Sequence, residues 1–351
     1  MIAYIADLHL GVKLNKVDFL SSLDKFLGLI KDYEEDCDCI MVVGDLFDHK
    51  LTIEESKFAA MFLVNLVYNN CGRHGMQHVP VHFIHGTYTH DNEQYEIFLP
   101  MLEKLPNVEV FYTKDTCVKK LRNGMKVLYL PQLYGDVDYT KAFNDTYDLI
   151  VGHGPISSDT TIPCKATQYE ILHSAEKLGS ISKLCVFGHY HGYTDFGNNV
   201  YYAGPWLRWK YGEDEERVFF FSNNDFTIKT FPNDIAMEFD TFPIYSPDEL
   251  RECLSGEITN PHRFIIHCNS SELNEYHGIM NAYKKNPFVK YQMITTNDEV
   301  CNENVSVMNE SSSAIVEPIP ALIEYIKDKY SEDTTNEIKE YELTINRDKE
   351  E

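Results

Sequence analysis

The stretch Cys185-Val186-Phe187-Gly188-His189-Tyr190-His191-Gly192-Tyr193 decides how this chain reads. Leu184 to Phe187 is an apolar run of the kind that fills a buried strand. The run stops at Gly188, where the backbone gains freedom, and His189 and His191 follow at once. Two imidazoles one residue apart on a loop can address neighbouring positions of one site, and imidazole is a common ligand of transition metals. Alone, a His-x-His step also fits an ordinary solvated loop. Its weight comes from what precedes it.

Four earlier stretches repeat the arrangement. MIAYIA, residues 1–6, is a short strand followed by Asp7 and His9. IMVV, residues 40–43, has the continuous apolar texture of a parallel strand and ends in Gly44-Asp45-Leu46-Phe47-Asp48-His49. VHFI, residues 81–84, leads into His85-Gly86-Thr87-Tyr88-Thr89-His90-Asp91, and residues 148–151 lead into Gly152-His153-Gly154. In open α/β sheets the carboxyl ends of the strands are where ligands bind. Any one of these could be a polar turn; five in one chain read as one site. Carboxylates and imidazoles together, without cysteine, suggest two cations of manganese, iron or zinc rather than calcium. Two adjacent cations repel, a carboxylate between them is the natural remedy, and Asp45 is the central candidate. Such a pair acidifies a water and clamps the oxygens of a phosphoryl displacement.

The rest of the chain supplies a scaffold. Residues 16–33 carry an apolar helical stripe through Phe19, Leu23, Phe26 and Ile30. Residues 53–68 are apolar nearly all round, which suits a buried helix or a subunit interface. Residues 93–105 read as a helix containing Pro100. Residues 117–121 and 125–130 form a hairpin over Arg122-Asn123-Gly124. Residues 166–178 look helical, and 200–202, 218–221 and 226–230 look like antiparallel strands. From Phe239 the texture changes. Pro243 and Pro247 mark a linker, and 263–267, 271–284 and 288–294 make a small β-α-β unit. Residues 318–330 can form one amphipathic helix. The expected division is therefore 1–237, 238–316 and 317–351, the last a helix with an acidic, partly flexible tail.

Composition narrows the function. The chain has 351 residues, 43% of them hydrophobic, and a net charge of -24. That charge opposes unaided binding to nucleic acid, where affinity rests on Lys and Arg, although metals can reverse the local field. The nine cysteines are odd in number and scattered, as expected of reduced thiols in the cytoplasm. Asp7 and His9 interrupt the first apolar run, so it does not read as a signal peptide, and no stretch has the length of a membrane span.

The series D-x-H, GDLFD, a His-Asp step, GH and GHYH resembles the calcineurin-like metallophosphoesterase superfamily. Within it, DLHLGVK, GDLFD, AGPW at residues 203–206 and the small domain that follows resemble the nuclease subunit of the SbcCD type. The resemblance implies an α/β fold, a four-layer β-sandwich flanked by helices, with a smaller C-terminal α/β capping domain. It implies a metal-dependent DNA exonuclease and endonuclease of repair and recombination, with two divalent ions, manganese foremost. Its partners would be DNA, an SMC-like ATPase and a second copy of itself. Asp7, His9 and His191 would hold one metal, Asp45 both, and His153 and His189 the other. His90 would act on the phosphate, with Asp91 orienting its ring. Asp48 and His49 would line the phosphate pocket or cap the next helix. At the third motif the family has Gly-Asn-His, its asparagine a ligand of the second metal; here Thr89 stands before His90, implying a weaker second site.

Overall fold

The computed structural model describes residues 1–12, 16–70, 78–134, 140–158, 170–213, 216–256, 258, 260–286 and 288–296. They divide into two compact units: Met1–Thr241 with Ile258–His262, and Phe242–Glu257 with the described residues from Arg263 on.

The first unit is built on two six-stranded sheets. One runs in the order Ile228–Pro232, Val218–Ser222, Ile2–Ile5, Cys39–Val43, Val81–Ile84, Val110–Thr113. Its last four strands are parallel, and the first two add on antiparallel. The other runs Thr194–Asp195, Val200–Tyr202, Ser182–Gly188, Tyr147–His153, Lys126–Leu130, Cys117–Lys120. Its four central strands are parallel, and both edges are antiparallel.

Period-two alternation explains how the sheets stack. Ile2, Tyr4, Met41 and Val43 of the first sheet join Val127, Tyr129, Leu149, Val151, Leu184 and Val186 of the second in one buried cluster. The alternate residues Ala3, Ile5, Ile40 and Val42 face the other way and pack on Phe19, Leu23 and Phe26 of helix Lys16–Asp32 and on Phe62 and Leu66 of helix Ile53–Tyr68. On the far face of the second sheet, Leu128, Ile150, Cys185 and Phe187 meet Ala175 and Leu178 of helix Ala175–Ile181. Helix, sheet, sheet and helix form the four layers expected. Each fully buried Leu, Ile or Phe contributes roughly 1.5–3 kcal/mol, so the strands are anchored on both faces. Helix Ile53–Tyr68 opens on a capping box in which Thr52 and Glu55 exchange hydrogen bonds; the cap is Thr52 rather than Asp48. The 117–130 hairpin forms as expected, with Lys120 opposite Lys126.

Three sequence expectations change. Val200–Tyr202 lies parallel to Ser182–Gly188 in the second sheet, not with the antiparallel pair of the first. Its alternation suits either sense, and the intervening loop decides its neighbour. Of the helix expected over 166–178, residues 166–169 lie outside the described residues, and 170–174 are not helical; the helix runs Ala175–Ile181, where Ser174 accepts a hydrogen bond from the Lys177 N–H. Pro243 is not in a linker but in strand Asp240–Ile244, at the edge of the sheet Asp240–Ile244, His262–Asn269, Val289–Thr296. An edge is where a strand tolerates proline, and Pro247 then starts helix Pro247–Cys253. With helix Leu273–Asn281 this makes the second unit α/β. The helix expected over 318–330 and the tail lie outside the described residues.

Candidate metal centre

The carboxyl ends of five strands from the two sheets meet at one edge. Ile2–Ile5 leads to Asp7 and His9, Cys39–Val43 to Asp45, and Val81–Ile84 to Thr87 and His90. His153 ends strand Tyr147–His153, and Ser182–Gly188 leads to His189 and His191. The loops are stitched by backbone hydrogen bonds, His9 N–H to Asp45 O at 3.0 Å and Leu10 N–H to Leu46 O at 2.8 Å. Four of the site residues sit at positive φ: Asp7 at 49°, His9 at 48°, Asp45 at 42° and His189 at 112°. Such backbone costs on the order of 1–3 kcal/mol per residue and gathers at functional sites. Close approach also requires glycine at two points. A Cβ on Gly44 would lie 2.1 Å from His153 Nδ1, and one on Gly86 2.2 Å from Asp45 N.

Two groups of possible ligands result. Asp7, His9 and His191 bring ligand atoms within 4.8 Å of one another, and so do Asp7, Asp45 and His153. His9 Nε2 and His191 Nε2 face each other at 3.1 Å. Asp45 lies between the groups, Oδ1 at 3.3 Å from His153 Nε2 and Oδ2 at 4.0 Å from His9 Nε2. His153 donates Nδ1–H to Val43 O at 2.9 Å, which turns Nε2 toward the centre. Asp7 accepts the His189 N–H on Oδ1 at 2.9 Å, while its buried Oδ2 has no hydrogen-bond partner. An orphaned, fully buried carboxylate oxygen beside converging imidazole nitrogens fits a bound divalent cation.

The charges of the centre also act on one another. Burial pushes the Asp7 carboxyl up. Burial opposes charge on Asp45 too, but His153, with His9 and His90, outweighs it and holds Asp45 well below the usual carboxylate range. His153 is pushed up to about 9, the Asp45 and Asp7 carboxylates overcoming its burial. His189 is pushed down to about 4, by burial and then by His153.

Surrounding groups fix the ligands. Glu213 Oε1 accepts from His191 Nδ1 at 2.9 Å, and its Oε2 accepts from Trp209 N–H at 2.8 Å and from Arg217 Nη2 at 2.9 Å. Arg217 also donates to His191 O, and Trp209 Nε1–H donates to Asp7 O at 2.9 Å. Burial raises the Glu213 carboxyl, but its bonds from His191 and Trp209 and the Arg217 charge leave it below its ordinary value. Asp48 is 3.4 Å from His9 Nδ1 and 2.9 Å from His49 Nδ1, and belongs to a third group with His9 and His90.

Two sequence assignments shift. Thr87, not Thr89, reaches the centre: its Oγ1 is 3.1 Å from Asp45 Oδ2 and its N–H donates to Asp45 Oδ1 at 2.6 Å. Thr89 is exposed on the short helical turn Tyr88–Asp91. Those extra residues after Gly86 carry the motif out of register. Asp91 does not orient His90. It is buried, accepts from Phe47 N–H at 3.1 Å and Gly86 N–H at 2.7 Å, and so pins two site loops together; His90 Nδ1–H is held by Asp48 O at 2.6 Å. His189 joins none of the three-residue groups among the described residues; its Nε2 lies 3.8 Å from Glu170. His82 and His85 bond to Tyr129 OH and to Asn92 O. Glu213, Glu170 and Gln132 carry no local motif and were not foreseen.

No curated protein matches the chain significantly. One solved crystal structure aligns with 66% of this chain and 98% of its own at 13% identity and a TM-score of 0.39, too weak a likeness to argue from. The family profile for calcineurin-like phosphoesterases matches residues 1–193. With more than half of its length so matched, the chain belongs to the calcineurin-like phosphoesterase family.

Proposed function

We propose that this metal-dependent phosphoester hydrolase is a DNA nuclease, the subunit of an SbcCD-like pair that cuts phosphodiester bonds for an SMC-like ATPase. The observation that carries the hydrolase reading is the meeting of Asp7, His9 and His191 with Asp45 and His153 at the facing ends of two sheets. Two divalent cations held there, manganese in this reading, would acidify a water and neutralise the phosphoryl oxygens. Asp7, His9 and His191 would hold one, His153 and His189 the other, with Asp45 serving both. The protein's own groups do the rest. Glu213 sets the His191 tautomer with Nε2 free for the site. His153 is likewise turned by Val43 O. His90, its Nδ1–H committed to Asp48 O, keeps Nε2 to meet the scissile phosphate or to give a proton to the leaving oxygen.

The DNA reading draws on the resemblance of DLHLGVK, GDLFD and AGPW, and on the second α/β unit that follows the catalytic one. A charge of -24 suits a subunit that receives its DNA from a partner. Exposed Ile53, Met61, Tyr68 and Ile97, on helices Ile53–Tyr68 and Gln94–Leu102, are the surface proposed for homodimerisation. Among the described residues no helix is long and apolar enough to cross a membrane; a cytoplasmic site of action is part of the proposal. The test is manganese-dependent cleavage of labelled duplex and hairpin DNA beside bis-p-nitrophenyl phosphate, with and without the ATPase. Cleavage of DNA supports the nuclease. Hydrolysis of the small ester with DNA untouched in both cases refutes it in favour of a small-molecule phosphodiesterase.

A further inference from the structure

Asp48, on the loop after Asp45, faces His9, His49 and His90 at once. Its N–H donates to Leu10 O at 3.1 Å, which holds its loop against the one that carries His9. Its carbonyl oxygen accepts from His90 Nδ1 at 2.6 Å. Its carboxylate is divided between the other two rings. Oδ2 is 2.9 Å from His49 Nδ1, and His49 Nε2 lies 3.4 Å from Glu55, the acid of the capping box on helix Ile53–Tyr68. Oδ1 is 3.4 Å from His9 Nδ1. That nitrogen is buried without a hydrogen-bond partner, on a side chain only 5% exposed. Such a group calls for a partner, and the protons around it say when one is made. Glu213 accepts the Nδ1 proton of His191, so a neutral His191 offers a lone pair at Nε2. The 3.1 Å contact between His191 Nε2 and His9 Nε2 then takes its proton from His9 Nε2.

We propose that Asp48 is a positioning residue of the metal centre: its carboxylate accepts the Nδ1 proton of His9 and so frees Nε2 for the cation shared with Asp7 and His191. The inference rests on the two-cation reading above and adds a residue to it. A proton on His9 Nε2 occupies the lone pair that a ligand must give. When that nitrogen serves as a ligand, the ring keeps one proton, and only Nδ1 can carry it. A neutral ring moves its proton from Nε2 to Nδ1; a ring holding both gives the Nε2 proton to water and keeps the other. Asp48 Oδ1 faces the Nδ1 position, and closing their 3.4 Å by a few tenths of an ångström makes a hydrogen bond. His49 steadies the carboxylate from its other oxygen. His9 and His191 then form a matched pair, each oriented through Nδ1 by a carboxylate, Asp48 for one and Glu213 for the other.

The experiment uses the full chain, labelled with ¹⁵N-histidine and stripped of metal by chelator, at a pH of about 8, above the ordinary histidine value. Zn²⁺, which is diamagnetic, is added for the spectra, and Mn²⁺ for calorimetric titration. In the unaltered chain the ¹⁵N shifts place a proton on His9 Nε2 before Zn²⁺ and on Nδ1 alone after it, and the titration finds two Mn²⁺. Asp48→Ala, which keeps the carbonyl that holds His90, weakens one Mn²⁺ site about 10–100-fold and leaves the other unchanged. The weakened site is the one whose filling by Zn²⁺ moves the His9 and His191 signals. Should that variant not fold, Asp48→Asn, of the same shape and a poorer acceptor, reads the same selective weakening. Two Mn²⁺ bound at unchanged affinity by Asp48→Ala, or a His9 that keeps its proton on Nε2 with Zn²⁺ bound, overturns the assignment and leaves the two-cation reading standing. A third Mn²⁺ on the unaltered chain that Asp48→Ala loses also overturns it, because the carboxylate is then itself a ligand in the group it forms with His9 and His90. Fewer than two bound by the unaltered chain overturns both.

Discussion

Replacing Glu213 by Gln tests whether a residue outside the metal motifs governs the centre. Its Oε2 is anchored twice, by Trp209 N–H at 2.8 Å and by Arg217 at 2.9 Å. In Glu213→Gln the single amide oxygen stays with those two donors, and the NH₂ takes the place of Oε1. A donor then faces His191 Nδ1, which now holds a carboxylate at 2.9 Å. The ring answers by moving its proton to Nε2, the nitrogen that faces His9 at 3.1 Å. That tautomer cannot offer Nε2 to a cation. Loss of a partner in this position costs about 10–100-fold in metal affinity, or roughly 1.4–2.7 kcal/mol. The bonds from Trp209 and Arg217 persist with a neutral acceptor, so folding stability falls by only about 1–2 kcal/mol. Mn²⁺ titration gives the affinity, and ¹⁵N shifts of labelled histidine report the tautomer. A variant that binds Mn²⁺ at full affinity, or whose His191 keeps its proton on Nδ1, refutes the reasoning.

Other outcomes follow from the same geometry. Gly44→Ala places a methyl 2.1 Å from the His153 ring at φ 81°; it should destabilise the fold by at least 1–2 kcal/mol and abolish binding at the His153 site, read by unfolding and titration. Thr87→Ala should weaken one Mn²⁺ site whereas Thr89→Ala leaves both unchanged, a comparison that decides which threonine serves the centre. His90→Ala should retain both metals and lose turnover on bis-p-nitrophenyl phosphate; loss of metal with activity contradicts its role. Buried His82 is pushed down to about 3, by burial and then by the Lys119 charge. Between that value and its ordinary 6.5 the unfolded chain binds the proton that the folded chain refuses, so stability falls as pH drops below about 6.5. His82→Gln should flatten that slope in denaturant unfolding between pH 7 and 5, and an unaltered slope contradicts it.

Much of this molecule is legible in its sequence because buried parallel strands are short apolar runs, and each ends where glycine, aspartate or histidine begins. Asp7, His9, Asp45, His153, His189 and His191 announce themselves in that way. What escapes is what depends on register or distance. Tyr88–Asp91 coils into a helical turn, so counting back from His90 lands on Thr89, while the chain presents Thr87. Val200–Tyr202 alternates well enough for either sheet, and only the closed fold sets it parallel to Ser182–Gly188. Glu213 comes from a loop without periodicity and gains meaning only beside His191. Positive φ at four site residues is equally silent in the sequence, since no glycine marks it.

The central claim is that two cations sit on either side of the Asp45 carboxylate. Crystals of the Mn²⁺-loaded protein, with data collected at the manganese absorption edge, test it most directly. The account predicts two anomalous peaks, one in reach of Asp7, His9 and His191 and one in reach of His153 and His189, with Asp45 oxygens between them. No peak at this edge of the sheets, or a peak that Asp45 does not touch, contradicts it.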